Sequence, residues 1–286
     1  MQDRPGHDMW QQRYDRPEYV FGEAPNAFLR DHADLLKPGA KVLCLADGEG
    51  RNGVFLAERG CDVLSMDFSG HALQKAEALS RKRGVTLRLE EADVTQWRFP
   101  EEGYDVVVAI FIQFLPPAQR DALFANIRKT LRPGGLLLLQ GYRPEQIANG
   151  TGGPPQVENL YTRQLLEAEF AGFTCDIKCH DTEIHEGVAH GGMSALIDLV
   201  AWKPAVNSNP STFLHGADFM NLDRAVLAFA GLMILVSLIL TYFVSPWFWL
   251  FTAFIGLNLL QAAFTGFCPA ALVFKHFGVP SGCVFK

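Results

Sequence analysis

Charge nearly disappears from the chain after Pro204. Beyond that residue only Asp218, Asp223, Arg224, Lys275 and Lys286 carry formal charge, whereas the preceding part mixes charged and apolar residues as a globular domain does. A chain divided in this way must fold in two different surroundings. The tail holds two uncharged runs, 225–244 and 247–267, separated by Ser245-Pro246. Each is about 20 residues, the length that crosses a hydrocarbon core at ~1.5 Å per residue. Helices apolar on every face need either lipid or a large surrounding core, and the tail is too short to build the latter. The expected organisation is a domain over 1–204, a linker over 205–220 and a transmembrane helical hairpin domain over 221–286. Arg224 before the first run and Lys275 after the second set positive charge on one side. The positive-inside rule then places the first domain and both termini on the cytoplasmic side of a bacterial-type inner membrane, with the lipid bilayer as a partner. Asn258 and Gln261, inside the second run, invite helix–helix hydrogen bonding and self-association into a homo-oligomer.

The formal net charge of −6 supplies no general basic face for phosphates, so nucleic acid is not an expected partner. The six cysteines, at 44, 61, 175, 179, 268 and 283, lack the density of a disulfide framework and point to a reducing compartment. Met1-Gln-Asp-Arg-Pro-Gly-His7 leads into no apolar run, so no secretory signal is expected. Cys175, Cys179 and His180 suggest a metal at first sight, but on a strand the two cysteines face one side and the histidine the other, so no metal site is expected.

Within 1–204 the pattern repeats strand, turn and helix. Strands are expected at 42–46, 62–67, 86–90, 104–111 and 136–141, with helices at 53–59, 72–83, 117–131 and 162–171 between and after them. Such alternation implies an α/β, doubly wound, Rossmann-like sheet of parallel strands covered on both faces. Two further strands, 174–184 and 194–202, have no helix between them and should pair antiparallel, completing seven. The residues joining them, His185-Glu-Gly-Val-Ala-His190-Gly-Gly, are expected to form a loop.

Asp47-Gly-Glu-Gly-Arg-Asn52 follows the first strand, where a doubly wound sheet binds nucleotides. Gly48, Gly50 and Gly53 satisfy G-x-G-x-x-G, and Asp67 stands about twenty residues on. That pattern alone leaves nicotinamide dinucleotides and S-adenosylmethionine equally open.

The surrounding motifs separate them. Val42 to Gly50, Val63 to Asp67, Ala92-Asp93-Val94 and Leu131-Arg-Pro-Gly-Gly135 together resemble, in register, the motifs of class I S-adenosylmethionine-dependent methyltransferases. The resemblance implies S-adenosyl-L-methionine as cofactor, with Asp67 on the ribose hydroxyls and Asp93 at the adenine amine. Cys44 stands where the family has an acid, and Ala46 where it has its first glycine. Trp10-Gln-Gln-Arg-Tyr14, Tyr19-Val-Phe-Gly22 and Asn26-Ala-Phe-Leu29 resemble the N-terminal cover of the tellurite-resistance and thiopurine-type branch. The cofactor-binding set so implied is Trp10, Arg13, Ala46, Asp47, Gly48, Gly50, Arg51, Asn52, Asp67, Phe68, Asp93, Val94 and Ile110, while Tyr19, Phe21 and Phe28 are expected to pack on the sheet.

His185 and His190 in their loop, Gln113 past the fourth strand and Tyr142 past the fifth are the substrate-steering candidates. Methyl transfer is an in-line displacement that asks chiefly for positioning, and a thiol acceptor needs no strong base because its pKa lies near 8.5. The tail, most distinctively Ala263-Phe-Thr-Gly-Phe-Cys-Pro269, resembles a two-helix inner-membrane module found alone or attached to rhodanese-type sulfurtransferases. Together these point to methylation of hydrogen sulfide, methanethiol or another small thiol, with selenium or tellurium oxyanions behind. The open alternatives are O-methylation of a quinone or lipid at the membrane, a non-catalytic cofactor-binding sensor, and, more distantly, a nicotinamide-dependent dehydrogenase.

Overall fold

The computed structural model describes residues 7–187, 190–205 and 222–265. The chain divides into two compact units, 1–207 and 208–286.

The first unit is built on seven strands: β1 (Lys41–Cys44), β2 (Asp62–Asp67), β3 (Arg88–Glu91), β4 (Tyr104–Ile110), β5 (Leu131–Tyr142), β6 (Thr174–Glu186) and β7 (His190–Trp202). Their spatial order is β3-β2-β1-β4-β5-β7-β6. The first five run parallel, and β7 runs antiparallel to both β5 and β6. This is the mixed seven-stranded Rossmann-like sheet that the strand and helix alternation implies. The order reverses beside β1, whose neighbours are β2 and β4, so a crevice opens at the carboxyl ends of these three strands.

Both faces of the sheet are apolar because successive residues of each central strand point opposite ways. Leu43, Leu64, Met66, Val107, Leu137 and Leu139 share one buried cluster with Phe124, Ile127, Leu166 and Phe170. Val42, Cys44, Val63, Val106, Val108, Leu136 and Leu138 share the other with Phe28, Leu29 and Leu56. The helices around the sheet are α1 (His7–Tyr14), α2 (Ala27–Asp31), α3 (Arg51–Glu58), α4 (Gly70–Arg83), α5 (Pro117–Thr130), the single turn α6 (Gln146–Asn149) and α7 (Arg163–Glu169). Local chemistry fixes several ends. Asn26, Ser69 and Thr162 cap α2, α4 and α7 by accepting the backbone N–H three residues on, and Gly84 closes α4 in the left-handed region.

Three boundaries differ from the sequence expectation. α3 begins at Arg51, so Arg51 and Asn52 belong to the helix and not to the glycine turn. β5 takes in Arg132-Pro-Gly-Gly135, with a register irregularity where it meets Tyr104 and Val106. The expected loop 185–192 is mostly strand among the described residues: His185 pairs with Gly191 and Glu186 with His190. Pairing the backbone this far satisfies N–H and C=O groups that a loop would leave to solvent.

In the second unit α8 (Leu222–Phe243) and α9 (Trp249–Thr265) are joined through a 3₁₀ turn at Pro246–Phe248. Ser237 Oγ donates to Phe248 O at 2.7 Å and accepts from Thr252 Oγ1 at 2.7 Å, a polar staple inside an apolar pair. Among the described residues, no helix is long and apolar enough to cross a membrane. The expected linker past residue 205, Lys275, Cys268, Cys283 and the end of the second apolar run lie outside the described residues.

Candidate active site

The crevice at the switch point is a cleft of about 650 Å³, open to solvent at its mouth and lined by Trp10, Tyr14, Phe21, Ala46, Asp47, Gly48, Arg51, Asn52, Asp67, Phe68, Ile110, Phe111 and Phe114. Its floor is the glycine turn. Gly48 has φ 59° and Gly50 φ 80°, and a Cβ on Gly50 would stand 2.5 Å from the Cβ of Ala76, so the turn admits no side chain there.

Two buried carboxylates organise this floor. Asp47 accepts from Gly53 N at 2.9 Å and Ser65 Oγ at 2.8 Å, which spends its side chain on the first turn of α3. Asp67 accepts from Gly48 N at 3.0 Å and Ser69 N at 2.9 Å, tying the end of β2 to the glycine turn. Burial pushes both carboxyls up to about 6, against the opposing pull of these hydrogen bonds. Cys44, where an acid was the family expectation, is fully buried, and burial raises its thiol well above the ordinary range, so it stays a protonated core residue.

The roof comes from the N-terminal segment. Tyr14 sits over Gly48, Trp10 stacks on Tyr14 at 5.6 Å, and the Arg13 guanidinium lies 4.8 Å from the Trp10 ring and 5.4 Å from that of Phe21. Arg13 therefore backs the aromatic wall and does not itself line the cleft, whereas Phe21, expected to pack on the sheet, does line it. Gln11 anchors α1 through Ser69, whose Oγ donates to its Oε1 at 2.8 Å.

The remaining side chains of the turn fix the cover. Glu49 Oε2 accepts from Val20 N at 2.7 Å and Phe21 N at 3.3 Å, and its Oε1 pairs with Lys75 Nζ at 2.7 Å. Arg51 donates to Phe21 O at 3.1 Å and pairs with Glu186 at 2.7 Å. Asn52 accepts from Asn26 N at 3.0 Å, and Asn26 in turn donates to Gln140 and Glu186. Arg51 and Asn52 do reach the cleft wall, but their polar atoms are engaged with the cover and the β6–β7 tip.

Two cleft residues other than glycine have positive φ, Ala46 at 46° and Phe111 at 55°. Each such residue costs on the order of 1–3 kcal/mol unless its surroundings hold it, and such strain gathers at functional sites. Phe111 is held by its N–H to Gln140 O at 2.8 Å and by stacking on Tyr142, ring centroids 4.7 Å apart.

The substrate-steering candidates fare differently. His185 is exposed on β6 beside Glu183 and lines no part of the cleft; it alternates with Glu186, which does turn inward. The His190 side chain lies outside the described residues. Gln113 is buried and donates to Tyr142 O at 2.9 Å and Asn159 O at 3.1 Å while its Oε1 accepts from Tyr142 N, so it is a backbone clamp. Tyr142 is likewise buried, behind Phe111. Asp93 caps its own turn by accepting from Thr95 at 2.8 Å, and Val94 is a core residue; neither lines the cleft, although Ala92 N donates to Asp67 O and brings their segment beside it. Sequence reasoning missed Tyr14, Phe111 and Phe114 on the wall and Glu49 and Glu186 behind it. Phe111 had one signal, its place immediately after a central strand.

A doubly wound, mostly parallel sheet with a glycine-floored, acid-edged cleft at its switch point defines a nucleotide-cofactor-binding α/β domain. Residues 42–135 match the methyltransferase domain family, and residues 220–280 match the inner membrane protein YgaP-like transmembrane domain. An uncharacterised protein of Mycobacterium tuberculosis is 33% identical over 101 residues, which are 35% of this chain and 36% of the relative. The demethylmenaquinone methyltransferase of Thermus thermophilus is 31% identical over 112 residues, 38% of this chain and 50% of that protein. The matches thus span half or less of these relatives' lengths. TehB from Haemophilus influenzae has a similar fold, at TM-score 0.53 and 19% identity over 69% of this chain and 66% of that one. So does the N-methyltransferase NodS from Bradyrhizobium japonicum WM9 in complex with S-adenosyl-L-homocysteine, at TM-score 0.53 and 15% identity over 70% of this chain and 100% of that one. Residues 42–135 of the first unit accordingly match a methyltransferase domain, and S-adenosylmethionine is the cofactor that this match supports.

Proposed function

We propose that the chain is a membrane-anchored methyltransferase that moves a methyl group from S-adenosylmethionine to hydrogen sulfide, methanethiol or another small thiol. The observation that carries this reading is the composition of the cleft wall. Six aromatic residues line it, while among the described lining residues there is no histidine, cysteine or lysine, and the cation, Arg51, is paired with Glu186. The wall's two carboxylates, Asp47 and Asp67, are engaged with the glycine turn and the ends of β2 and α3, so it leaves little to act as base on an alcohol and pairs its cation away from an oxyanion. It suits an acceptor that sheds its own proton near neutral pH and tolerates an apolar surrounding.

S-adenosylmethionine supplies a methyl on a positive sulfur; the acceptor's thiolate, its proton already lost to water, takes that carbon in line as the old C–S bond breaks with its electron pair, leaving S-adenosylhomocysteine. The chain's own part is to hold and to exclude water. Asp67 presents a carboxylate to hydroxyl donors at the β2 edge, Ala46 and Gly48 bring backbone close, and Phe68 and Ile110 supply flat and apolar contacts. The faces of Trp10 and Tyr14 attract a sulfonium charge. Asp93 and Val94 take the adenine edge only if their segment closes over Asp67 when the cofactor binds.

Membrane attachment rests on the YgaP-like match at 220–280 and on the surface of the hairpin. Leu235, Ile239, Tyr242, Trp247 and Leu257 are each between 58% and 83% exposed, far more apolar surface than a water-facing pair of helices tolerates. The reading places the first unit on the cytoplasmic side. A sulfur acceptor also agrees with the module's resemblance to one attached to sulfurtransferases. The second reading, a membrane quinone as acceptor, is favoured by the same hairpin and by likeness to the demethylmenaquinone methyltransferase.

The test incubates the purified full chain in lipid nanodiscs with S-adenosylmethionine and, separately, sulfide, methanethiol, tellurite and a menaquinol, reading S-adenosylhomocysteine and methylated product by mass spectrometry. Turnover on sulfide or methanethiol supports the proposal. Turnover confined to tellurite or the quinol, or tight cofactor binding without turnover, overturns it.

A further inference from the structure

We infer that Phe111 sets the size limit of the methyl acceptor and keeps water from its end of the cleft. The inference rests on the reading of the chain as a methyltransferase, and it assigns a specificity-determining residue within it.

Ile110 and Phe111 are consecutive and both line the cleft. Extended backbone sends successive side chains to opposite faces, so this is achieved only because φ at Phe111 is 55°, which turns the ring back to the side of Ile110. A bulky residue does not adopt that conformation without help. The help is a stacked support: Phe111 lies on Tyr142, with an interplanar angle of 28°. Tyr142 is held in place by Gln113, whose side-chain amide accepts from its N–H and donates to its carbonyl. The buried Gln113 side chain thus does for Tyr142 what a strand neighbour does for a backbone, and fixes the ring on which Phe111 stacks.

The position of the ring gives it its task. The cleft runs from Asp67 and Phe68, on the β2 side, to Ile110, Phe111 and Phe114, past β4. With the ribose hydroxyls at Asp67, the nucleoside occupies the β2 side and the reacting methyl faces the β4 side. The acceptor enters against the Phe111 ring. A rigid aromatic face there admits a one- or two-carbon thiol and refuses a wide one, and it lets a desolvated thiolate meet the methyl without competing water.

The test compares wild type, Phe111→Ala and Phe111→Leu in the full chain. Three readouts are taken: kcat/KM for methanethiol and for benzyl mercaptan, calorimetric affinity for S-adenosylhomocysteine, and binding of toluene and naphthalene to the S-adenosylhomocysteine-loaded protein by saturation-transfer NMR. In Phe111→Ala the benzyl mercaptan to methanethiol ratio should rise at least tenfold and naphthalene should gain binding, while S-adenosylhomocysteine affinity changes less than threefold. Phe111→Leu, which keeps bulk without the stack, should fall between. An unchanged ratio with unchanged naphthalene binding overturns the inference, as does loss of S-adenosylhomocysteine affinity of tenfold or more, which would make Phe111 part of the cofactor wall. If wild type turns over neither thiol, the thiol reading fails by itself, and the naphthalene readout still decides the role of Phe111.

Discussion

Arg51 and Glu186 form an ion pair at 2.7 Å across 135 residues of sequence, with side chains only 8% and 13% exposed. Through it the helix that follows the glycine turn is fastened to the tip of the last hairpin, and Arg51 also holds the carbonyl of Phe21 in the cover. Removing one partner leaves the other charge buried and alone, which costs about 3 kcal/mol. Glu186→Gln should therefore lower stability by roughly that amount in urea unfolding monitored on the first unit, and should weaken S-adenosylhomocysteine binding because the cover loosens. The double variant Arg51→Met with Glu186→Leu should recover much of the stability. Equal loss in single and double variants would show that the pair has no such role.

Asp47 and Asp67 hold their protons more tightly in the folded protein, at about 6, than an ordinary carboxyl at ~3.9. Between those values the folded state binds more protons than the unfolded one, so their contribution to stability falls as pH rises through that window and the full penalty is present above it. Cofactor-free protein should thus lose stability from pH 4.5 to 6.5 more steeply than Asp47→Asn does. Parallel curves would contradict this.

Cofactor binding should show the opposite slope. Ribose hydroxyls donate to a carboxylate, so the ionised form of Asp67 is the competent one and affinity for S-adenosylhomocysteine should fall as pH drops through about 6. Asp67→Asn should flatten that dependence and reduce affinity about 10- to 100-fold, the value of a charge-assisted hydrogen bond. Calorimetry at pH 5 and pH 8 on both proteins checks it.

Gly187 has φ 64°, and a Cβ there would collide with Gly22 N and Val20 O. The obstacles are backbone, so nothing nearby can yield. Gly187→Ala should push the hairpin tip off the cover, at a cost of about 1–3 kcal/mol, and raise amide exchange at residues 20–22 without affecting β1 and β4. Exchange that stays the same would place the tip elsewhere in solution.

In the second unit, Ser237→Ala removes the shared partner of the Phe248 carbonyl and the Thr252 hydroxyl. Side-chain hydrogen bonds are worth about 0.5–1.5 kcal/mol, so denaturation of the full chain in detergent micelles should shift by that much. Ser237→Cys, a weak donor of similar size, should shift less.

The strand and helix order was legible from residues 42–142 because the elements carry their own signals: apolar runs at β1 and β4 and the glycine turn before α3. Asp67 was legible for the same reason, being fixed by its place at the end of a strand. The His185 expectation failed because a hairpin of thirteen-residue strands has no internal mark of where its turn falls, and one residue of alternation decides whether His185 or Glu186 faces inward. What the sequence by itself determined is thus the class of domain, its cofactor turn and the two-part organisation, all written in local periodicity and short motifs. Only the tertiary structure decided that Glu49 and Arg51 hold the cover, that Gln113 clamps Tyr142 and that Phe111 turns back into the cleft. These are contacts between residues about 30 to 135 positions apart. No local pattern encodes them, since they exist only once the sheet has brought the strand ends together.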